Sequence, residues 1–142
     1  MKNLILIAAL LAGAYFWFSE GNYADVSAGS EASSLSGPSS FDQGDSNRQV
    51  QGEGVVVKVL SDDNKGSRHQ KFILELSSGQ TILVAHNIDL APRISSISTG
   101  DTVAFNGEYE WNEKGGVVHW THHDPDGRHE GGWLKAAGKT YQ

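Results

Sequence analysis

The 142-residue sequence contains no cysteine. That excludes a disulfide-stapled fold, a thiolate zinc site, a Cys nucleophile and a lipid-modified N-terminal Cys. Positive charge is short as well. Eleven Lys and Arg stand against seventeen Asp and Glu, for a formal net charge of −6. Such a balance argues against sequence-independent binding to phosphate backbones, which Lys and Arg drive. No G-x-S-x-G occurs, no phosphate-cradling glycine loop, and no evident Ser-His-Asp arrangement. The length allows one ordinary domain with extensions.

One apolar run is present. Residues 4–18 read LILIAALLAGAYFWF, with Lys2 before them and Glu20 the first acid after them. A basic residue followed by about fifteen apolar ones fits the n- and h-regions of a secretory signal. Small residues suited to cleavage occur at Ala12-Gly13-Ala14 and at Val26-Ser27-Ala28. A bilayer core needs ~20 apolar residues, so the run is marginal for spanning. Its aromatic end would nevertheless suit a membrane interface. Residues 1–18 are therefore expected to be a signal peptide or an inner-membrane anchor. Both place the remainder outside the cytoplasm, free or tethered in the periplasm.

Residues 19–49 are rich in Ser, Gly, Ala and acid, with almost no aliphatic side chains. A segment of that kind buries too little apolar surface to offset chain entropy, and a disordered linker is expected. The folded domain is expected over 50–142. Gly54–Leu60, Lys71–Leu76, Thr81–His86, Thr102–Trp111 and Val117–His122 alternate or are β-branched, and read as five strands. Asn87–Thr99 lacks alternation, contains Pro92 and has room for one short helix. An all-β chain of five strands, irregular only between the third and fourth, has the order of a small OB-like barrel. An open sandwich is the competing architecture. The tail GGWLKAAGKTYQ reads as a C-terminal hairpin capping the barrel with Trp133 and Tyr141.

Side-chain alternation places Val103, Phe105, Gly107 and Tyr109 on one face of the fourth strand, with Asn106, Glu108 and Glu110 on the other. The hairpin around Asn112–Gly115 then sets Tyr109 opposite Val118 and Glu108 opposite His119. It also sets Asn106 opposite Thr121 and Phe105 opposite His122. A one-residue slip would put Glu108 against Trp120, so the apolar pattern selects the register. A carboxylate beside an imidazole is how general bases are built. It is equally what a solvated surface pair looks like.

Four of the six histidines lie between His119 and His129. Imidazoles and carboxylates are ordinary ligands of zinc and related divalent ions. His119 and His123 would be ~13 Å apart on one strand, at ~3.3 Å per residue, so the strand alone cannot chelate. Asp124-Pro125-Asp126-Gly127 is a β-turn signal that would return His129 toward His122 or His123. His122, His123, Asp124 and His129 are accordingly the candidate metal ligands. A polar barrel-rim loop is the plainer alternative.

From Gly54 to Gln142 the chain resembles an uncharacterised family of small exported bacterial proteins. The segments that carry the resemblance are DDNKGSRHQKF, AHNIDLAPR, GEYEWNEKGGVVHWTHHDP and GGWLKAAGKTYQ. The resemblance implies a bacterial envelope setting and a domain used as one unit, and no activity.

Two functions remain. One is an exported OB-like binding module, recognising an envelope ligand or protein partner through Lys65, Arg68, His69, Glu108, Trp111, Lys114 and His119. The other is a metal-dependent hydrolase, a phosphodiesterase or nuclease. There His119, Glu108 and Arg68 would be catalytic, the loop histidines and Asp124 would hold metal, and Arg68 or Arg93 would bind phosphate.

Overall fold

In the computed structural model the described residues are 37–142. The expected signal or anchor at 1–18, and the linker as far as residue 36, lie outside them. Seven strands form one sheet: β1 (Arg48–Val59), β2 (His69–Glu75), β3 (Thr81–Asn87), β4 (Thr102–Glu110), β5 (Val117–His119), β6 (Trp133–Ala136) and β7 (Lys139–Tyr141). No α-helix occurs among the described residues.

The first five strands close into a barrel in the order β1-β2-β3-β5-β4, with β4 returning to β1. All neighbours are antiparallel except β3 and β5, which run parallel. Closure depends on the length of β1. Val55–Val59 pairs with β2 while Arg48–Val55 pairs with β4, and a register shift separates Val56 from Lys58. Such a bulge bends the strand sharply enough to serve both neighbours. Gly52 sits where β1 crosses Phe105, and a Cβ there would press 2.6 Å from the ring. This closed five-stranded barrel is consistent with an OB-like fold.

Alternation fills the interior as the sequence predicts. Phe72, Leu74, Ile82, Val84, Val103, Phe105, Tyr109 and Val118 are all buried in one cluster. Burial of side chains of this size stabilises by ~1.5–3 kcal/mol each. Leu134 and Tyr141 of the C-terminal hairpin join them. Trp133 does not, since β6 pairs Leu134 with Phe105 and Trp133 with outward-facing Asn106. The capping residue is therefore Leu134, and Trp133 lies under the Lys135 ammonium, 4.0 Å from its ring centroid.

Three further expectations change. The expected linker ends too late, because order begins before residue 50. Phe41 is buried against Phe105 and Tyr109, with ring centroids 6.1 and 5.2 Å away. Its backbone is clasped by Gln80, which accepts from Phe41 N at 2.7 Å and donates to Phe41 O at 3.0 Å. A turn of 3-10 helix follows at Gln43–Asp45, closed by a capping box from Asp42 and Asp45. One aromatic and the Gln80 clasp together anchor this polar stretch.

The second change is in Asn87–Thr99, which forms turns without a helix. Buried Gln70 holds this segment down, donating to Ile94 O and accepting from Ile94 N. That exchange satisfies the Ile94 backbone without helical bonds.

The third is the end of the fifth strand, which stops at His119 rather than His122. Trp120 has φ +57°, a left-handed conformation that costs a non-glycine residue about 1–3 kcal/mol. Alternation fails there. Thr121 and His122 are both buried, and β6 takes the place opposite Asn106 that was expected for Thr121.

Candidate carboxylate–imidazole site

The register derived from the hydrophobic pattern holds. Glu108 lies opposite His119, Tyr109 opposite Val118, and Glu110 opposite Val117. On the other edge of β4, Glu108 lies opposite Gln49. Gln49, Glu108 and His119 thus form one row across three strands on the outside of the barrel. Close approach at this row depends on Gly107, where a Cβ would run into the His119 carbonyl oxygen and the side chains of Val118 and Thr121.

Side-chain partners differ from the expected Glu108–His119 pair. The nearest carboxylate oxygen to His119 Nε2 is Glu110 Oε1, at 3.4 Å. Diagonal neighbours across a ladder are within reach of long side chains, and Glu110 shares the outer face with Glu108. The His119 ring holds the Glu110 carboxyl below its ordinary range, against the opposing effect of burial. Glu108 instead meets His129, with Oε2 at 2.7 Å from Nε2. One ligand atom from each of Glu108, Glu110 and His119 lies within 4.8 Å of the others.

His129 arrives on a loop that the sequence builds locally. Asp124 accepts from the backbone N–H of Asp126 with Oδ1, and from those of Arg128 and His129 with Oδ2. Gly127 N donates to Asp124 O in the predicted turn, and Gly132 N donates to His122 O to close the loop. The imidazole of His129 lies against Trp120, with centroids 4.0 Å apart and planes 9° from parallel. Its Nδ1 bonds to the Glu130 carbonyl at 2.7 Å. A carbonyl and a carboxylate both only accept, so in this arrangement Nδ1–H donates to Glu130 O and Nε2–H donates to Glu108 Oε2.

Two polar atoms in the row are buried without a hydrogen-bond partner: Gln49 Oε1 and His119 Nε2. The 3.4 Å approach of His119 to Glu110 is not a well-formed hydrogen bond. The Gln49 amide nitrogen is used, donating to Asn106 Oδ1 at 2.7 Å and reaching Gly131 O at 3.4 Å. Buried polar atoms are nearly always paired, so two orphans flanking a carboxylate mark this row as unusual.

The four residues expected to hold metal are not brought together. Asp124 spends both carboxylate oxygens on backbone N–H groups. Buried His122 bonds through Nδ1 to the His123 carbonyl, while His123 is exposed. Only His129 reaches the site, and it does so through Glu108.

Among the expected ligand-binding residues, His119 is in the site, and His69 lies close enough to influence His122 and His119 electrostatically. Burial lowers the affinity of both His69 and His122 for a proton. Arg68 is tied to Asp89 at 2.7 Å, and Arg93 to Asp62 through two nitrogens. Lys65 and Trp111 are exposed, and Lys114 is half-buried in the β4–β5 turn.

His86 is a satisfied core histidine. Its Nε2 donates to the Pro92 carbonyl at 2.9 Å, so Nδ1 accepts from the Thr121 hydroxyl at 2.7 Å. Burial pushes its pKa down to about 4. Glu110 and Gln49 are the site residues that the sequence reading missed. The parity of Glu110 with Glu108 was a usable signal for the first. Nothing local marked Gln49, which precedes the expected start of the first strand.

No curated protein and no solved structure matches this chain. Residues 22–142 match the model of a family described as protein of unknown function (DUF3465), which takes in the whole barrel and its hairpin. The chain belongs to that family.

Proposed function

We propose that the protein is an exported binding module of the bacterial envelope, and that its ligand face is the outer surface of β4 and β5 around Glu108, Glu110 and His119. The observation that carries this reading is the row Gln49–Glu108–His119, whose flanking residues keep buried polar atoms without partners. Orphaned polar atoms cost stability, of the order of 1–3 kcal/mol each, unless something outside the chain satisfies them. Two carboxylates and an amide oxygen all accept hydrogen bonds or coordinate cations. The face therefore suits a small cation or an amine donor. Export rests on the apolar run 4–18. The hydrolase reading lacks comparable support, since both arginines expected to hold phosphate are committed to carboxylates.

Two measurements test it. An alkaline phosphatase fused after Gln142 gains activity only outside the cytoplasm, and an inactive fusion would sink the export reading. Titration of the full-length chain with spermidine, ethanolamine and Zn²⁺ is followed by side-chain NMR. Shifts centred on Glu108, Glu110 and His119 support the face. Shifts elsewhere on the barrel, or none with any of the three, overturn it.

A further inference from the structure

We infer that Glu108, Glu110 and His119 form a three-ligand site for a divalent transition metal of the zinc class, with His129 as the group that orients Glu108. The inference rests on the face proposed above and names its ligand.

The geometry is close to that of a coordination sphere. With metal–ligand bonds of ~2.0–2.2 Å, the edge of a tetrahedral site is ~3.4 Å. Glu110 Oε1 and His119 Nε2 are already 3.4 Å apart. The third ligand atom, from Glu108, lies within 4.8 Å of both. His119 Nε2 has no hydrogen-bond partner to surrender, so its nitrogen is available as a ligand atom.

The donor set is informative. One imidazole with two carboxylates suits zinc or manganese better than calcium or magnesium, which prefer all-oxygen shells. Calcium also takes six to eight ligands in general, more than these three residues supply. Three protein ligands would leave a position for water or an exogenous ligand.

The surroundings supply an outer shell. His129 Nε2 holds Glu108 Oε2 at 2.7 Å, leaving the other carboxylate oxygen for the ion. The imidazole is itself fixed by the Glu130 carbonyl and by the face of Trp120. Outer partners of this kind fix ligand orientation, and their loss typically costs 10–100-fold in metal affinity.

The test is calorimetric titration of the full-length chain, purified without a polyhistidine tag, with Zn²⁺, Mn²⁺, Ca²⁺ and Mg²⁺. One Zn²⁺ per chain is expected, with Ca²⁺ and Mg²⁺ weaker. Glu110→Gln and His119→Gln should each weaken Zn²⁺ at least tenfold. His129→Gln should weaken it by about tenfold while keeping the one-to-one stoichiometry. His123→Ala, in the neighbouring loop, should change nothing. Circular dichroism and metal-free Tm confirm that each variant is folded.

X-ray absorption of the loaded chain should show one imidazole and oxygen ligands. Absence of Zn²⁺ binding by folded protein overturns the inference. So does binding that survives His119→Gln and Glu110→Gln, or that His123→Ala abolishes. If amines shift the face while Zn²⁺ does not bind, the metal site fails and the binding face stands. If neither binds, both fall.

Discussion

The indole of Trp120 lies flat against the imidazole of His129, 4.0 Å between centroids and 9° from parallel. Trp120 does this from a left-handed backbone conformation, φ +57°, at the point where β5 ends. The strained residue thus sets both the end of the strand and the position of the ring that touches Glu108. Backbone strain of this kind is maintained only where surrounding contacts over-determine it.

Trp120→Ala keeps the unfavourable φ and removes the stack, which is worth about 0.5–1.5 kcal/mol for an aromatic pair beyond its buried area. The variant should be less stable by about 1–3 kcal/mol in urea denaturation. Its amides at 124–130 should exchange faster. Unchanged exchange in that loop would show that Trp120 does not position His129.

Asp124 is expected to act on the loop and not on an ion. Asp124→Ala should strip protection from the amides of Asp126, Arg128 and His129, which the carboxylate now accepts. Asp124→Asn keeps a single acceptor oxygen and should fall between the two. Hydrogen exchange read residue by residue distinguishes them. Loss of metal from Asp124→Ala with those amides still protected would instead make Asp124 a ligand.

Acid should destabilise the barrel through His86. The free imidazole titrates near 6.5, and burial holds the folded one at about 4. Between those values the unfolded chain binds more protons, so stability rises with pH. The full contribution is present above 6.5 and is lost as pH falls toward 4. At about 1.4 kcal/mol per pH unit this amounts to roughly 3 kcal/mol. Histidines 69 and 122, its electrostatic neighbours, are shifted the same way and steepen the fall. His86→Gln should start less stable, because Thr121 and Pro92 lose their partner, and should show a shallower slope. Urea denaturation across that window reads both effects, and a slope equal to that of the native chain would contradict the assignment.

Phe41 should behave as a core residue despite its polar neighbours. Phe41→Ala should cost about 3 kcal/mol, at the low end of the range for such truncations. A chain beginning at Gly37 should melt above one beginning at Ser46. Equal melting temperatures would return residues 37–45 to the role of a linker.

Several elements were legible because their signal is local. The apolar alternation of β2, β3 and β4 fixed which side chains face inward. The register of Glu108 against His119 followed, since a one-residue slip would have turned Val118 outward and set Trp120 against Glu108. The turn at Asp124–Gly127 and the C-terminal hairpin were likewise readable from Pro and Gly placement. Alternation could not reveal where it would stop. At Trp120 one dihedral reverses, and the consecutive residues Thr121 and His122 are both buried, against the period. Nor could it show that Phe41, alone in a polar stretch, would find a place beside Phe105 and Tyr109.

The chain's own pattern determined an all-β domain, its strand parity and one outward row containing a carboxylate and an imidazole, because a period of two is written in neighbouring residues. Tertiary structure alone decided that β3 and β5 run parallel, that β1 bends to close the barrel on β4, and that the loop from Trp120 to Gly132 sets His129 on Glu108 while Glu110 turns to His119. Those outcomes depend on contacts between residues far apart in sequence, such as Gln49 with Gly131 and Gln70 with Ile94. They form only when closure of the whole barrel offsets the entropy of bringing them together.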